Sequence, residues 1–183
     1  WGGRGWGKTH LLQAACHAVS ERGESTVYLP MGELSAMSPQ LLEGMEQMEL
    51  VCVDELDTIV GNTAWEQALF HLYNRIRDSG KRLVVAGLSS PSSLGLSLPD
   101  LVSRLSWGPV YQLQALDDEG KASALRLRAS QRGMEMSPDV ANYLLSHAPR
   151  DMHALFTLLD ELDEVSLAAQ RRLTIPFVRE LIR

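Results

Sequence analysis

The chain opens with glycines, a lysine and a hydroxyl group in a pattern suited to binding phosphate. The loop consists of Gly2, Gly3, Arg4, Gly5, Trp6, Gly7, Lys8 and Thr9, and it matches G-x-x-x-x-G-K-[ST]. In such loops the backbone N–H groups at a helix N-terminus surround phosphate oxygens, the lysine reaches the β- and γ-phosphates, and the hydroxyl binds Mg²⁺. We therefore predict a site for ATP or ADP with Mg²⁺. The alternative is a glycine-rich turn before a helix.

Two acidic residues follow the apolar run at residues 50–53. Such a run is typical of a strand buried on both faces, and open α/β sheets bind ligands at the carboxyl ends of their strands. We expect Asp54 to bind Mg²⁺ and Glu55 to orient and deprotonate the attacking water. Taken alone, the run is also compatible with a buried strand that continues into a polar loop, so the prediction depends on the phosphate-binding loop.

Arg104 lies in a segment, residues 98–105, whose pattern predicts a short amphipathic helix. A guanidinium at this place suits the arginine-finger role, in which it reaches the nucleotide of a neighbouring subunit and stabilises charge on the γ-phosphate. The alternative is a surface ion pair with Asp100, one turn earlier in the same helix. We predict the arginine-finger role.

These side chains need a sheet to bring them together, and the sequence predicts one. Apolar strands are expected at residues 26–29, 50–53, 82–86 and 110–113, and helices alternate with them. The long helix before Gly80 is expected to open with a capping box formed by Thr63 and Glu66. The alternation implies an α/β fold with a three-layer parallel sheet. Because a phosphate-binding loop normally follows a strand, we expect a first strand upstream of Trp1.

The pattern changes after Leu116 from mixed strands and helices to helices alone. Helices are predicted at residues 118–131, 138–146, 151–169 and 175–182. We therefore divide the chain into an α/β nucleotide-binding subdomain at residues 1–115 and a small all-helical lid at residues 116–183.

Composition narrows the class of protein. The 183 residues are 45% hydrophobic and 22% charged, as in an ordinary globular domain. The apolar runs are shorter than the roughly 18 residues of a membrane span, so we expect a cytoplasmic protein without membrane contact. Two cysteines, Cys16 and Cys52, are too few for a disulfide framework or a metal cluster.

Charge is distributed unevenly along a chain whose net charge is −6. Residues 23–74 contain nine carboxylates and neither lysine nor arginine. Because nucleic acid binding depends on cationic contacts to phosphates, this part of the molecule is a poor DNA-binding surface. Any contact with DNA is expected to be weak or indirect.

Four stretches give the chain a resemblance to a known family. They are GKTHLL at residues 7–12, LYNRIRDSGKRL at 72–83, LPDLVSRLSWG at 98–108 and AQRRLTIPFVRE at 169–180. Through them nearly the whole chain resembles the DnaA-related AAA+ proteins, and within that family the regulators that inactivate the initiator DnaA. The resemblance implies a protein that works beside the DNA-loaded sliding clamp and provokes hydrolysis of the ATP held by DnaA.

The resemblance also implies roles for residues by position. Arg104 matches the family's arginine finger, and Lys8 and Thr9 match its phosphate-binding loop. Asp54 matches its magnesium ligand, and His10 is included in the expected nucleotide contacts.

Two sensor positions depart from the family pattern. The chain reads Ala86-Gly87-Leu88 where relatives place a polar sensor, which leaves Ser89 or Ser90 as candidates. The sensor arginine of the lid aligns with His153, close to Arg150, and both are candidates for phosphate contact. Because a neutral imidazole stabilises transition-state charge poorly, we expect firm nucleotide binding with slow intrinsic hydrolysis.

The competing interpretation is a DNA-remodelling ATPase, such as a DnaA-type initiator or a helicase loader. An initiator is expected to carry a basic helix-turn-helix after the lid, and residues 1–183 contain none. It is also expected to carry cations near the second strand, where this chain is acidic. Both expectations favour a regulator. We expect it to bind the clamp through a segment upstream of Trp1. The sequence is also compatible with assembly into a homo-oligomer.

Overall fold

The computed structural model describes residues 1–149, 151–169 and 171–182. Internal contacts divide the chain into two compact units, Trp1–Gln114 and Ala115–Arg183. The first unit contains a parallel sheet with helices, and the described part of the second unit is built from helices. The predicted α/β fold with a helical lid is confirmed.

Three parallel strands form the sheet of the first unit, in the order β1-β2-β3. Their bounds are Thr26–Pro30 for β1, Leu50–Asp54 for β2 and Arg82–Val85 for β3. β2 is central, with Val51 paired with both Val27 and Leu83. Every residue of β2 is buried, which explains its continuous apolar run.

Helices cover both faces of the sheet. Successive side chains of a strand point to opposite faces, so neighbouring residues of β2 pack against different helices. Cys52 of β2 packs in one apolar cluster with Leu12, which lies on the first helix. Val53 of the same strand belongs to a second cluster with Trp65 and Leu69, which lie on the long helix after β2. The three-layer arrangement predicted from the sequence is therefore confirmed.

The described helices of the first unit are α1 (Lys8–Ser20), α2 (Met31–Leu34), α3 (Thr63–Asp78) and α4 (Pro99–Leu105), with 3₁₀ turns at Pro39–Leu42, Met45–Gln47 and Leu56–Ile59. The capping box predicted for α3 is wrong. Asn62 caps this helix, and its side-chain oxygen accepts the N–H of Trp65 at 3.4 Å. The carboxylate of Glu66 instead bonds the backbone of two loops.

The strand predicted at residues 110–113 is not formed. In the described ranges this segment exchanges backbone hydrogen bonds only with Trp1, whose amine donates to the Tyr111 carbonyl at 2.7 Å and whose carbonyl accepts the N–H of Leu113 at 2.8 Å. Two bonds to a single residue do not extend into a ladder. A segment of strand composition therefore stays irregular.

The described part of the second unit contains α5 (Asp118–Gln131), α6 (Pro138–His147), α7 (Met152–Ala169) and α8 (Ile175–Leu181). The four helices predicted there are confirmed to within about one residue at each end, the usual uncertainty of helix bounds. Their apolar faces share one core, which includes Leu125, Leu144, Leu159 and Phe177. No helix in the described ranges is both long and apolar enough to cross a bilayer.

Candidate nucleotide site and the Arg104 surface

The glycines of the phosphate-binding loop give its backbone a conformation that residues with side chains avoid. Gly5 and Gly7 have φ angles of 72° and 86°, and this left-handed region favours glycine. A Cβ atom on Gly3 would lie 2.8 Å from the Trp6 ring, so a larger residue there would displace the ring. α1 begins within the loop, at Lys8, where its free N–H groups and dipole favour an anion.

The Lys8 side chain folds back onto its own loop. Its Nζ donates hydrogen bonds to the carbonyl oxygens of Gly2 and Gly3, both at 2.8 Å. Gly2 donates its N–H to the Gly87 carbonyl at 3.1 Å, which joins the loop to the chain that follows β3. The half-buried ammonium is therefore held at the loop, where phosphate oxygens would compete with the carbonyls for its three N–H donors.

Thr9 and Asp54, the magnesium ligands expected from the sequence, are in direct contact. Thr9 Oγ1 donates to Asp54 Oδ2 at 2.6 Å. Asp54 is fully buried at the end of β2, and its Oδ1 accepts the N–H of Glu55 at 2.8 Å. A hydroxyl and a carboxylate side by side are the hard oxygen ligands that Mg²⁺ prefers, so the residues present fit this ion.

Tyr28 is a member of this cluster that sequence reasoning missed. Its hydroxyl donates to Asp54 Oδ2 at 2.9 Å from the neighbouring strand. Burial, with the hydrogen bond to Asp54 as the next cause, raises the pKa of Tyr28 well above its ordinary value, so the phenol remains a donor. The only sequence signal is an aromatic residue with a polar tip in β1, and the register of the sheet decides where that tip lies.

Glu55 has an unusual backbone. Its φ of 56° is the only positive φ of a non-glycine residue in the described part of the chain. Its Oε2 accepts the N–H of Gly32 at 3.1 Å, and a Cβ on Gly32 would collide with that oxygen. Such backbone strain costs about 1–3 kcal/mol and is typical of functional sites. The exposed carboxylate of Glu55 is therefore hydrogen-bonded to the backbone of Gly32.

The loop after β3, where a polar sensor was expected, is fixed by a residue that the sequence did not single out. Asp57 Oδ1 accepts the N–H of Leu88 at 3.1 Å. Ser90 Oγ lies 3.1 Å from two other serine hydroxyls of its own loop. Of the two sensor candidates, Ser89 is the one whose hydroxyl has no hydrogen-bond partner within the described residues.

Arg104 lies on α4, which a buried carboxylate holds at its start. Glu66 of α3 is fully buried, and its two oxygens accept the N–H groups of Gly61 and Leu98, each at 2.8 Å. Leu98 is the residue that immediately precedes α4. The carboxylate therefore joins the loop before α3 to the beginning of the helix that carries Arg104.

The Arg104 guanidinium lies over an aromatic ring. It is 5.5 Å from the centre of the Trp107 ring, and the Arg77 guanidinium of α3 is 4.4 Å from the same centre. Arg104 is half-buried and forms no ion pair within the described residues. The alternative ion pair with Asp100 is therefore not formed.

Two further residues of the loop region, Arg4 and His10, take no part in the hydrogen bonds described above. Arg4 and His10 are exposed. His153 belongs to the second unit, where its side chain is exposed in the first turn of α7. Its backbone N–H donates to Asp151 Oδ1 at 3.0 Å. Arg150 lies outside the described residues.

The comparisons with known proteins identify the family. Residues 1–112 match the model of the bacterial DnaA ATPase domain. The chain belongs to the DnaA-related AAA+ family. Residues 118–182 match the model of the Hda lid domain, so the helical unit matches a DnaA-related protein as the sheet-containing unit does.

Solved structures of DnaA share this fold. Domain III of DnaA from Thermotoga maritima is 24% identical with a TM-score of 0.81, and the match covers 97% of this chain and 79% of that chain. AMPPCP-bound DnaA from Aquifex aeolicus is 24% identical with a TM-score of 0.73, and the match covers 90% and 54%.

A DNA motor of the same fold is more distant in sequence. The Thermotoga maritima RuvB Holliday junction branch migration motor is 17% identical with a TM-score of 0.71, and the match covers 98% of this chain and 58% of that chain. The chain thus spans little more than half of the two longer proteins. At these identities the likeness shows the fold alone.

Proposed function

We propose that this chain is a nucleotide-gated AAA+ regulator that promotes hydrolysis of DnaA-bound ATP together with the sliding clamp. Its action would inactivate the initiator and limit re-initiation of chromosome replication. The observation that carries the proposal is the succession of a DnaA-type ATPase domain and a lid that matches the Hda lid model. The lid match favours a regulator over an initiator.

The gating nucleotide is ADP or ATP, held by the loop at residues 2–9. A DnaA similar to this chain was solved with AMPPCP. Lys8 would give phosphate oxygens the N–H groups that it now donates to loop carbonyls, and Thr9 and Asp54 would hold Mg²⁺. The ion supplies positive charge against the phosphates. Tyr28 keeps the Asp54 carboxylate oriented.

We expect the intrinsic ATPase of the chain to be weak at most. Glu55, the acid expected to orient the attacking water, is bonded to Gly32. By the family resemblance, His153 aligns with a lid arginine of relatives, and a neutral imidazole supplies less charge than a guanidinium. Arg150 is the other candidate for that contact. The nucleotide would act mainly as a conformational signal.

Arg104 is proposed to complete the active site of a partner. Its guanidinium is half-exposed and has no carboxylate partner in the described part of the chain. An arginine supplied in trans stabilises the charge on a transferring phosphoryl group and accelerates hydrolysis by about 10³- to 10⁵-fold in other nucleotide hydrolases. Placed against the ATP of DnaA, Arg104 would supply this charge.

A DNA-remodelling ATPase such as a DnaA-type initiator is the second candidate, because residues 1–112 match the model of the bacterial DnaA ATPase domain. The charge distribution weighs against it, because residues 23–74 contain nine carboxylates and neither lysine nor arginine. We expect the contact with DNA to be weak or indirect, and the contact with the clamp to lie in a segment upstream of Trp1.

The test measures hydrolysis of labelled ATP preloaded on DnaA, with clamp loaded on DNA, after addition of the full-length protein. Wild type is compared with Arg104→Ala and with Arg126→Ala, which changes an exposed arginine of α5. We expect wild type and Arg126→Ala to accelerate hydrolysis alike, and Arg104→Ala to lose about 100-fold or more of the effect. No acceleration by wild type refutes the regulator, and full acceleration by Arg104→Ala refutes the finger.

A further inference from the structure

Three side chains form a stack on the surface beside α4, which we call the Trp107 stack. It consists of Arg77 from the last turn of α3, the Trp107 ring just beyond α4, and Arg104 from the last turn of α4. The two guanidinium carbons lie 4.4 and 5.5 Å from the ring centre. Trp107 is 66% exposed, which is high for the largest apolar side chain.

The exposure of Trp107 is not explained by packing in the first unit. The buried apolar residue of α4 is Leu101, which anchors the helix to the core beneath it. Trp107 is not a member of that core, and the Arg77 and Arg104 guanidinium groups lie against its ring. Its backbone N–H donates to the Arg104 carbonyl at 3.2 Å, which keeps the backbones of the two residues close together.

A ring is a better support than a carboxylate for an arginine that must bind phosphate. A carboxylate would occupy the N–H donors of the guanidinium and neutralise its charge. An aromatic face attracts the cation through its π electrons, and the in-plane N–H donors stay free for a planar, bidentate contact with phosphate oxygens. A long arginine side chain also loses rotamer freedom on binding, and a support that already orders it reduces this loss.

We propose that Trp107, held by Arg77, is a positioning residue that presents the Arg104 guanidinium to the nucleotide of the partner. This inference rests on the proposed function, since it assigns Trp107 and Arg77 to the same trans action as Arg104. Arg77 acts through the ring: it binds the exposed indole and limits its rotation away from α4. The ring and Arg77 therefore raise the rate of the chemical step rather than the affinity for the partner.

The test uses the same hydrolysis assay at increasing concentrations of full-length protein, so that the maximal rate and the half-saturating concentration are obtained separately. The variants are Trp107→Leu, Trp107→Phe, Arg77→Ala and the double variant Trp107→Leu with Arg77→Ala. Arg126→Ala is the matched control for the loss of a surface arginine. Thermal unfolding of each variant verifies that the first unit remains folded.

We expect Trp107→Leu to lower the maximal rate about 3- to 30-fold, the range of a cation–π contact from exposed to desolvated, and to change the half-saturating concentration less than about twofold. Trp107→Phe retains an aromatic face and should recover most of the rate. Arg77→Ala should lower the maximal rate when it is the only substitution. The double variant should have the same maximal rate as Trp107→Leu alone, because Arg77 acts through the ring.

Three results would overturn the assignment. Equal rates for Trp107→Leu and wild type would exclude a role for the ring. Equal losses in Trp107→Phe and Trp107→Leu would exclude the aromatic face as the cause. A loss confined to the half-saturating concentration would make Trp107 a docking residue. Each of these is distinct from failure of the proposed function, in which wild type itself does not accelerate hydrolysis.

Discussion

The buried carboxylate of Glu66 allows a quantitative test of how the Arg104 helix is positioned. Its oxygens accept the N–H groups of Gly61 and Leu98 at 2.8 Å each, in a place without exposure to solvent. Glu66→Gln keeps the shape of the side chain but replaces one acceptor oxygen with an NH₂ group, which faces a backbone N–H. Glu66→Ala removes both acceptors.

The expected loss follows from these two bonds. A hydrogen bond to a charged group contributes about 1.5–3 kcal/mol, and a buried N–H without a partner costs about 1–3 kcal/mol. Because Glu66→Gln loses one bond and keeps the other, we expect the free energy of unfolding to fall by about 2–3 kcal/mol. Glu66→Ala loses both bonds, so we expect a fall of about 4–5 kcal/mol.

Urea unfolding followed by tryptophan fluorescence measures this loss in the relevant unit, because all four tryptophans of the chain lie within Trp1–Gln114. A lower midpoint at an unchanged slope reports lower stability. The matched control is Glu43→Gln, an exposed glutamate of the same unit, which should stay within about 0.5 kcal/mol of wild type. If Glu66→Gln is as stable as this control, the carboxylate does not hold the two loops.

Two further predictions concern the nucleotide loop and the sheet behind it. Lys8→Ala removes the ammonium at the expected phosphate site, so we expect the affinity for a fluorescent ATP analogue to fall about 10- to 100-fold in equilibrium titration. Lys121→Ala, on α5, is the control. An unchanged Kd for Lys8→Ala would contradict the role of this lysine. Burial, with the hydrogen bond that the Cys52 thiol donates to Cys16 as the next cause, raises the pKa of Cys52 to about 12. Because the thiolate is the reactive form, iodoacetamide at about pH 9 should label Cys52 in urea but not in the folded protein. Mass spectrometry measures the labelling. Rapid labelling of Cys52 in the folded protein would contradict its burial.

Local pattern was sufficient for most elements and for the phosphate-binding loop. Gly5 and Gly7 of the loop have positive φ angles, a conformation that glycine adopts more readily than other residues. The apolar run of β2 predicted a strand buried on both faces, and all of its residues are buried. These features depend on neighbours within a few residues, which the sequence contains.

Local pattern was insufficient where distant segments compete for one group. The spacing of Thr63 and Glu66 is typical of a capping box, yet Asn62 caps the helix and the carboxylate bonds Gly61 and Leu98. Residues 110–113 have strand composition but only Trp1 as a ladder partner in the described ranges. A tertiary partner decides both outcomes, and propensity does not specify it.

The sequence by itself determined the glycine-rich loop at residues 2–9, the acid at the end of β2, the helices of the lid and the family to which they belong. Only the tertiary structure decided that Tyr28 donates to Asp54, that Asp57 bonds the loop after β3, and that two guanidinium groups lie near the Trp107 ring. The physical reason is the range of the interactions. Backbone angles and amphipathic faces are set by adjacent residues, whereas side-chain contacts across elements depend on the register of the strands and on how the helices pack against them.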